Sequence, residues 1–205
     1  RDYAKLNGNT MYHVLTLLRF GRFDEIPGVT ERPKGDIPGG FWDFAQGYAQ
    51  PRAGNRAAAR THLTALMSAV NTSTAQFGAN SAKALFGVLA GILDGEIALA
   101  GADRAAAITA FEKAVAIEDA LVWDEPEPLP FSARHWLGPV LIEARRPADA
   151  ETVYRQDLER HPKNGWSLLG LSQALAAQGK QSREVTEEFE RAWARSDTWI
   201  RSSRF

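Results

Sequence analysis

Cysteine is missing altogether from the 205 residues, which removes disulfides, thiolate metal sites and cysteine nucleophiles from the mechanisms open to the chain. Its absence leaves the compartment open. An excess of charge of either sign is missing too: 24 Lys plus Arg face 25 Asp plus Glu, so there is no field to draw nucleic acid or an acidic membrane surface. No apolar run approaches the ~20 residues needed to span a bilayer, and Arg1 to Lys5 lack the apolar stretch of a signal peptide. The expectation is a soluble chain that neither binds nucleic acid nor inserts into membranes, with the cytoplasm as the default compartment. Valine- or isoleucine-rich alternating segments are also missing, which argues against a sheet. The chain opens at Arg1 and enters a helical pattern almost at once, which points to a fragment lacking an upstream segment.

What is present is 44% hydrophobic content, ample for a core, and alanine-rich stretches with apolar residues three and four apart from end to end. The spacing predicts helices near 9–20, 40–53, 55–71, 80–101, 103–119, 131–145, 147–161, 165–179 and 182–199, with a short helical turn at 22–27. Asn55, Asp103 and Asn164 are N-cap types, Pro38, Pro130 and Pro147 suit first turns, and Gly54, Gly101 and Gly179 follow apolar-periodic runs. Links as short as Ala53-Gly54-Asn55 and Arg145-Arg146-Pro147 force consecutive helices to lie antiparallel.

A repeat organises these helices. From Gly138 the chain reaches Ala150 twelve residues later, Tyr154 sixteen later and Pro162 twenty-four later. Gly95 reaches Ala107 and Phe111 at the same offsets, and then Ala114; Gly47 reaches Ala59 and Leu63. A fourth unit starts at Ser172 and reaches Val185 and Phe189 one residue late, which implies an insertion between Gln178 and Ser182. The physics is direct: two small residues let two helix backbones approach, and the aromatic wedges into the crevice they leave.

Leu137-Gly138, Ala150, Tyr154 and Pro162 resemble the tetratricopeptide consensus, and Phe20-Gly21-Arg22-Phe23-Asp24-Glu25 resembles that family's turn between helices. The likeness is closest at 131–164, looser at 88–119 and 165–195, and faint at 40–71. It implies an all-α fold, an α-solenoid of about four antiparallel helix pairs in a right-handed superhelix. The expected division is a half-unit at 1–37 and pairs at about 38–72, 79–119, 130–162 and 164–199, together one repeat domain. More narrowly, Asp119 to Pro126, Tyr154-Arg155-Gln156-Asp157-Leu158, Asn164-Gly165-Trp166-Ser167-Leu168 and Ser203-Arg204-Phe205 resemble the C-terminal half of a group of bacterial stand-alone tetratricopeptide proteins of unestablished activity. Those relatives carry a histidine-rich stretch upstream, and any metal role of that stretch does not pass to the residues here.

Departures from a regular array mark two insertions. Gly138 to Ser172 is 34 residues, but Gly95 to Gly138 is 43 and Gly47 to Gly95 is 48. The extra residues fall near Asn71 to Asn80 and near Ala120 to Pro130. The second stretch, Leu121-Val122-Trp123-Asp124-Glu125-Pro126-Glu127-Pro128-Leu129-Pro130, is too proline-rich for helix and sets a Trp beside three acids.

Little here is arranged for chemistry. His13, His62, His135 and His161 fall in four separate units without metal-ligand spacing, so no metal and no cofactor is expected. His161 at a helix end reads as a partner of the helix dipole, and His62 as lying on an exposed face. The acids Glu187 and Glu188 read as a solvated helix face. Trp123, Asp124, Glu125, Arg134 and His135 form a candidate loop pocket, against the plainer reading of an ordered loop packing Trp123 on the next pair. Phosphate loops, dinucleotide fingerprints and nucleophile elbows are missing.

The surface that the resemblance offers is the concave one, lined by the first helix of each pair. On the repeat spacing that surface carries Phe41, Phe44, Tyr48, Leu89, Ile92, Glu96, Ser132, His135, Pro139, Trp166, Leu169 and Gln173. The set is apolar and aromatic, and the basic clamp by which some family members hold a peptide carboxylate is lacking. The expectation is an interaction module whose groove takes a protein or peptide partner, or the upstream segment. A ligand-binding, metal-binding or enzymatic protein using the loop pocket is the alternative, and a structural piece of an assembly or a homo-oligomer is a third reading.

Overall fold

The computed structural model of the chain describes residues 9–125 and 127–205. Pro126 of the acidic loop and residues 1–8 of the first half-unit, with the leader reading made on Arg1 to Lys5, lie outside the described residues. The fold is all-α. Among the described residues there are nine helices: α1 Asn9–Arg19, α2 Asp36–Ala49, α3 Arg56–Thr72, α4 Ala82–Leu99, α5 Arg104–Asp119, α6 Arg134–Glu143, α7 Pro147–Arg160, α8 Gly165–Ala176 and α9 Arg183–Trp193. A single 3-10 turn at Ile26–Gly28 follows α1, and a minimal hairpin, β1 Gln76–Phe77 against β2 Asn80–Ser81, precedes α4. No helix of the described residues is long and apolar enough to cross a membrane.

Local chemistry sets the boundaries. The side chains of Asn55, Asp103 and Asn164 each accept from backbone N–H groups of the first turn that follows, and Ser81 and Ser182 do the same for α4 and α9. Gly54 and Gly179 take the left-handed conformation that ends a helix, whereas after α4 it is Ala102 rather than Gly101 that does so. Pro147 opens α7 as expected, Pro38 is the third residue of α2, and Pro130 stands four residues ahead of α6. Helix α9 stops at Trp193, six residues before the expected end, because the Trp193 indole N–H donates to the Thr198 carbonyl at 2.7 Å and turns the chain back.

The chain divides into two compact units, residues 1–130 and 131–205. In the first, each helix from α1 to α4 packs on its successor, and the first helices of neighbouring pairs, α2 and α4, also touch. The second repeats this scheme: α6, α7, α8 and α9 pack in succession and α6 touches α8. The two insertions meet inside the first unit. Asn80 on β2 exchanges side-chain hydrogen bonds with the backbone of Val122 at 2.7 and 2.8 Å, and the Ala79 N–H donates to the Asp124 carboxylate at 2.9 Å.

The wedges named by the repeat are in place in the two clearest units. Tyr154 and Ala150 are fully buried, and a Cβ added to Gly138 of α6 or to Gly170 of α8 would fall inside the van der Waals radius of the Tyr154 ring. Phe111 meets Gly95 in the same way, and Ala114 closes on Gly91, where a Cβ would stand 2.9 Å from its own. The unit at Gly47 departs from the pattern. Its neighbours are Leu93 of α4 and His62, while Leu63 is only half-buried. In the last unit Val185 is buried, but the ring lodged against a glycine is Trp193 on Gly165, and half-buried Phe189 stacks on Trp193 at 5.9 Å.

Because Tyr154 fills the space over two glycines, Tyr154→Ala should cost about 3 kcal/mol by leaving a cavity, and Gly170→Ala about 2 kcal/mol by overpacking the same contact. Urea denaturation followed by tryptophan fluorescence checks both; an unchanged midpoint for either would refute the wedge.

Candidate functional site

The residues expected to line an open groove are for the most part core. Phe41, Phe44, Tyr48, Leu89, Ile92 and His135 have no solvent exposure, and Ser132 and Pro139 are buried as well. Within each unit the first helices of neighbouring pairs, α2 with α4 and α6 with α8, pack directly on each other, so the face predicted as a groove is the contact between them: Phe86 of α4, for instance, presses on Gly40 of α2. Glu96 is buried beside Arg52, whose Nη1 lies 3.3 Å away, and the Arg52 guanidinium sits over the rings of Phe23 and Tyr48 at 4.3 and 4.1 Å. Of the twelve, only Trp166, Leu169 and Gln173 are half-buried, all on α8. A charge at Phe44 would therefore disrupt the core instead of testing a surface.

The loop pocket is corrected too. Trp123 is 71% exposed and packs on nothing that hides it, Glu125 is exposed, and Asp124 is half-buried and committed to the hairpin. Gly78 makes room for that carboxylate, in a left-handed conformation with φ of 57°. Arg134 and His135 belong to the second unit and are buried there. Among the described residues no group of three or more His, Asp or Glu side chains is placed to hold a metal ion.

In the second unit, three of the runs singled out in the sequence converge. Asp157 on α7 is fully buried; its Oδ1 lies 3.0 Å from His161 Nδ1, its Oδ2 accepts from the Ser167 hydroxyl of α8, and His135 Nε2 of α6 stands 3.5 Å from the same oxygen. Burial alone pushes the Asp157 carboxyl up. Hydrogen bonds from His135, His161 and Ser167, with the charge of His135, act in the opposite direction and prevail, holding it well below the usual carboxylate range. The His135 ring stacks on Trp166 at 6.4 Å, and Trp166 meets Trp193 edge-on at 4.7 Å. With Asp157, Ser167 and His135 all inaccessible, the group can orient helices but cannot receive a substrate. A similar anchor in the first unit joins buried Asp43 to Arg32 at 2.9 Å and to His62 at 3.0 Å; His62 is thus half-buried, not on an exposed face.

The rest of the site is the face of α6 and α8 that the irregular segment after α9 covers. Gln173 donates to the Arg201 carbonyl at 2.8 Å. Ser203 is fully buried and its hydroxyl donates to the His135 backbone carbonyl at 2.9 Å, while its oxygen is 2.7 Å from the Tyr154 hydroxyl. One hydroxyl has one proton, so Tyr154 is the donor to Ser203. The Phe205 ring meets Trp136 at 4.8 Å and Phe131 at 5.9 Å, both edge-on. The donor arrives where the helix lacks one: residue 139, four places after His135, is a proline inside α6 and has no N–H to give that carbonyl.

Comparison of the chain with protein-family models, with curated proteins and with solved structures gave no match.

Asp157 also makes stability depend on pH. Its folded carboxyl ionises at lower pH than in the unfolded chain, so its stabilisation is complete above the ordinary carboxylate range and is lost as pH falls below it. Asp157→Asn should cost about 2 kcal/mol at neutral pH. The gap to wild type should narrow as pH falls from about 5 toward 2. Urea midpoints across that range test this; a constant gap would mean that shape rather than charge sustains the network.

Proposed function

We propose that the chain is an interaction module built on tetratricopeptide-type helix pairs, and that its partner site is the α6 and α8 face of the second unit. One observation carries this reading: that face already holds a non-helical stretch of polypeptide, through a side chain from each helix or its backbone carbonyl and through a pair of aromatic rings. A surface able to fix a peptide carbonyl, a hydroxyl and a ring in one short segment has the elements of peptide recognition. The tetratricopeptide spacing at Gly138, Ala150 and Tyr154 supports the same reading, because the first helices of successive pairs, here α6 and α8, are the ones that line the family's groove. The loop-pocket alternative has less support, since Asp124 is engaged with the hairpin and His135 with Asp157.

Panning a random peptide library on the full chain and on Phe205→Ala checks the proposal. Enriched peptides should protect the amides of α6 and α8 from hydrogen exchange and be captured more strongly by Phe205→Ala, where the resident ring no longer competes. Failure to enrich any peptide on either protein, or protection confined to other helices, would refute it.

A further inference from the structure

The manner in which α6 receives Ser203 defines a chemical specificity. An α-helix normally consumes its own carbonyls, since each accepts from the N–H four residues on. Pro139 breaks that rule inside α6, and the carbonyl so released belongs to His135, a buried residue held by stacking on Trp166 and by its approach to Asp157. The Tyr154 hydroxyl stands beside the released carbonyl, itself fixed by the two glycines that clasp its ring. Together they offer one acceptor and one donor, 2.9 and 2.7 Å from a single oxygen, which is the complement of an aliphatic hydroxyl. Phe131 and Trp136, 5.1 Å apart and edge to face, both meet the Phe205 ring edge-on.

We propose that this site recognises a short non-helical segment of a partner protein bearing a Ser or Thr followed two positions later by an aromatic, and that residues 198–205 are a resident competitor which such a segment displaces. The inference rests on the proposed interaction function and adds to it the chemistry of the ligand and its regulation. The resident segment is suited to release: of residues 198–205 only Ser203 is buried, and Trp199 is 94% exposed. Its hold on the helices includes one hydroxyl, one ring and the Arg201 carbonyl, so a competitor that matches those groups gains what the segment gives up there. The register between the hydroxyl and the ring is what a competitor must keep. On a helix, residues two apart point to opposite sides, so a helical ligand cannot satisfy both positions.

The test uses a full chain carrying a protease site at Ser196-Asp197, cut only after folding, and a labelled synthetic peptide with the sequence of residues 197–205. The cut protein should keep its helical circular dichroism and bind the labelled peptide reversibly. Peptides with Ser203→Ala or Phe205→Ala should bind at least about tenfold more weakly, the range expected when a buried hydrogen bond or ring contact is removed. Pro139→Ala in the protein, which restores an N–H to compete for the His135 carbonyl, should weaken binding similarly without lowering the melting temperature. In the uncut chain, excess peptide should speed hydrogen exchange in residues 198–205. Loss of helicity on cutting, or a segment that never exchanges although library peptides protect α6 and α8, would make it a fixed part of the fold and overturn this inference alone. Binding that ignores Ser203 and Pro139 would overturn the specificity and leave the interaction function standing. A folded, cut protein that binds no peptide at all would overturn both.

Discussion

A ring lodged against bare backbone is the constraint on which the rest of this structure depends. Phe86 lies on Gly40, Phe111 on Gly95, Tyr154 on Gly138 and Gly170 together, and Trp193 on Gly165. Each contact needs a glycine on one helix and a bulky planar group on another, and neither partner has a tolerant substitute: a methyl on the glycine overlaps the ring, and a smaller residue in place of the ring leaves a void. Because the glycines lie on first helices and the rings of Phe111, Tyr154 and Trp193 on second helices, the contact fixes pairing as well as spacing. Tyr154 goes further. By touching α6 and α8 at once it joins one pair to the next, and its hydroxyl, pushed toward the neutral form by burial, remains a donor at the point where the segment after α9 arrives.

The polar counterpart of that contact is Asp157. A fully buried carboxylate is costly unless every lone pair finds a donor, and here the donors come from different places: His135 on α6, His161 at the end of α7 and Ser167 on α8. Satisfying all of them at once requires one relative placement of the three helices, so the group contributes specificity of packing even where its net stabilisation is modest. The arrangement has a bearing on function, since His135 presents its ring to Asp157 and its backbone carbonyl to Ser203. Whatever holds the ring also aims the carbonyl.

Most of the helices and their pairing were legible in the sequence because they follow from local patterns: apolar spacing, Asn and Asp caps, and small residues at fixed distances from aromatics. The site was less legible, for physical reasons that particular residues make plain. Phe41, Phe44, Leu89 and Ile92 carry the right periodicity for an inner face, but periodicity identifies a helix face without saying whether a neighbouring helix covers it. Trp123 looked like a residue needing cover and stands in solvent, because the loop is fastened through Asp124 and the Val122 backbone, which leave no apolar signature. Asp157 and Ser203 lay inside runs recognised by resemblance, yet neither type signals burial, and only the fold brings residues 135, 154, 157, 167 and 203 together. The early end of α9 was hidden for a related reason: the apolar pattern runs on past Trp193, while a single indole hydrogen bond to Thr198 ends the helix.

Pro139 is the one sequence signal that could have located the site in advance. A proline in a helix interior usually costs ~3 kcal/mol, through the lost hydrogen bond and the clash with the carbonyl four residues before it. Where that carbonyl faces water the cost is partly recovered by solvation, but His135 is buried, so the compensating donor has to come from protein. A donor within the helix would have to come from out of register, three or five residues on, and an amide from a neighbouring helix would be taken from that helix's own ladder. A side-chain hydroxyl on a segment outside regular structure meets neither objection, because it brings a proton without surrendering a backbone bond. Ser203 is such a group, and the requirement falls on the hydroxyl rather than on the segment that happens to carry it. A proline at that place in α6 therefore accounts for the chain's own irregular segment delivering the Ser203 hydroxyl to the His135 carbonyl, with Phe205 beside Trp136.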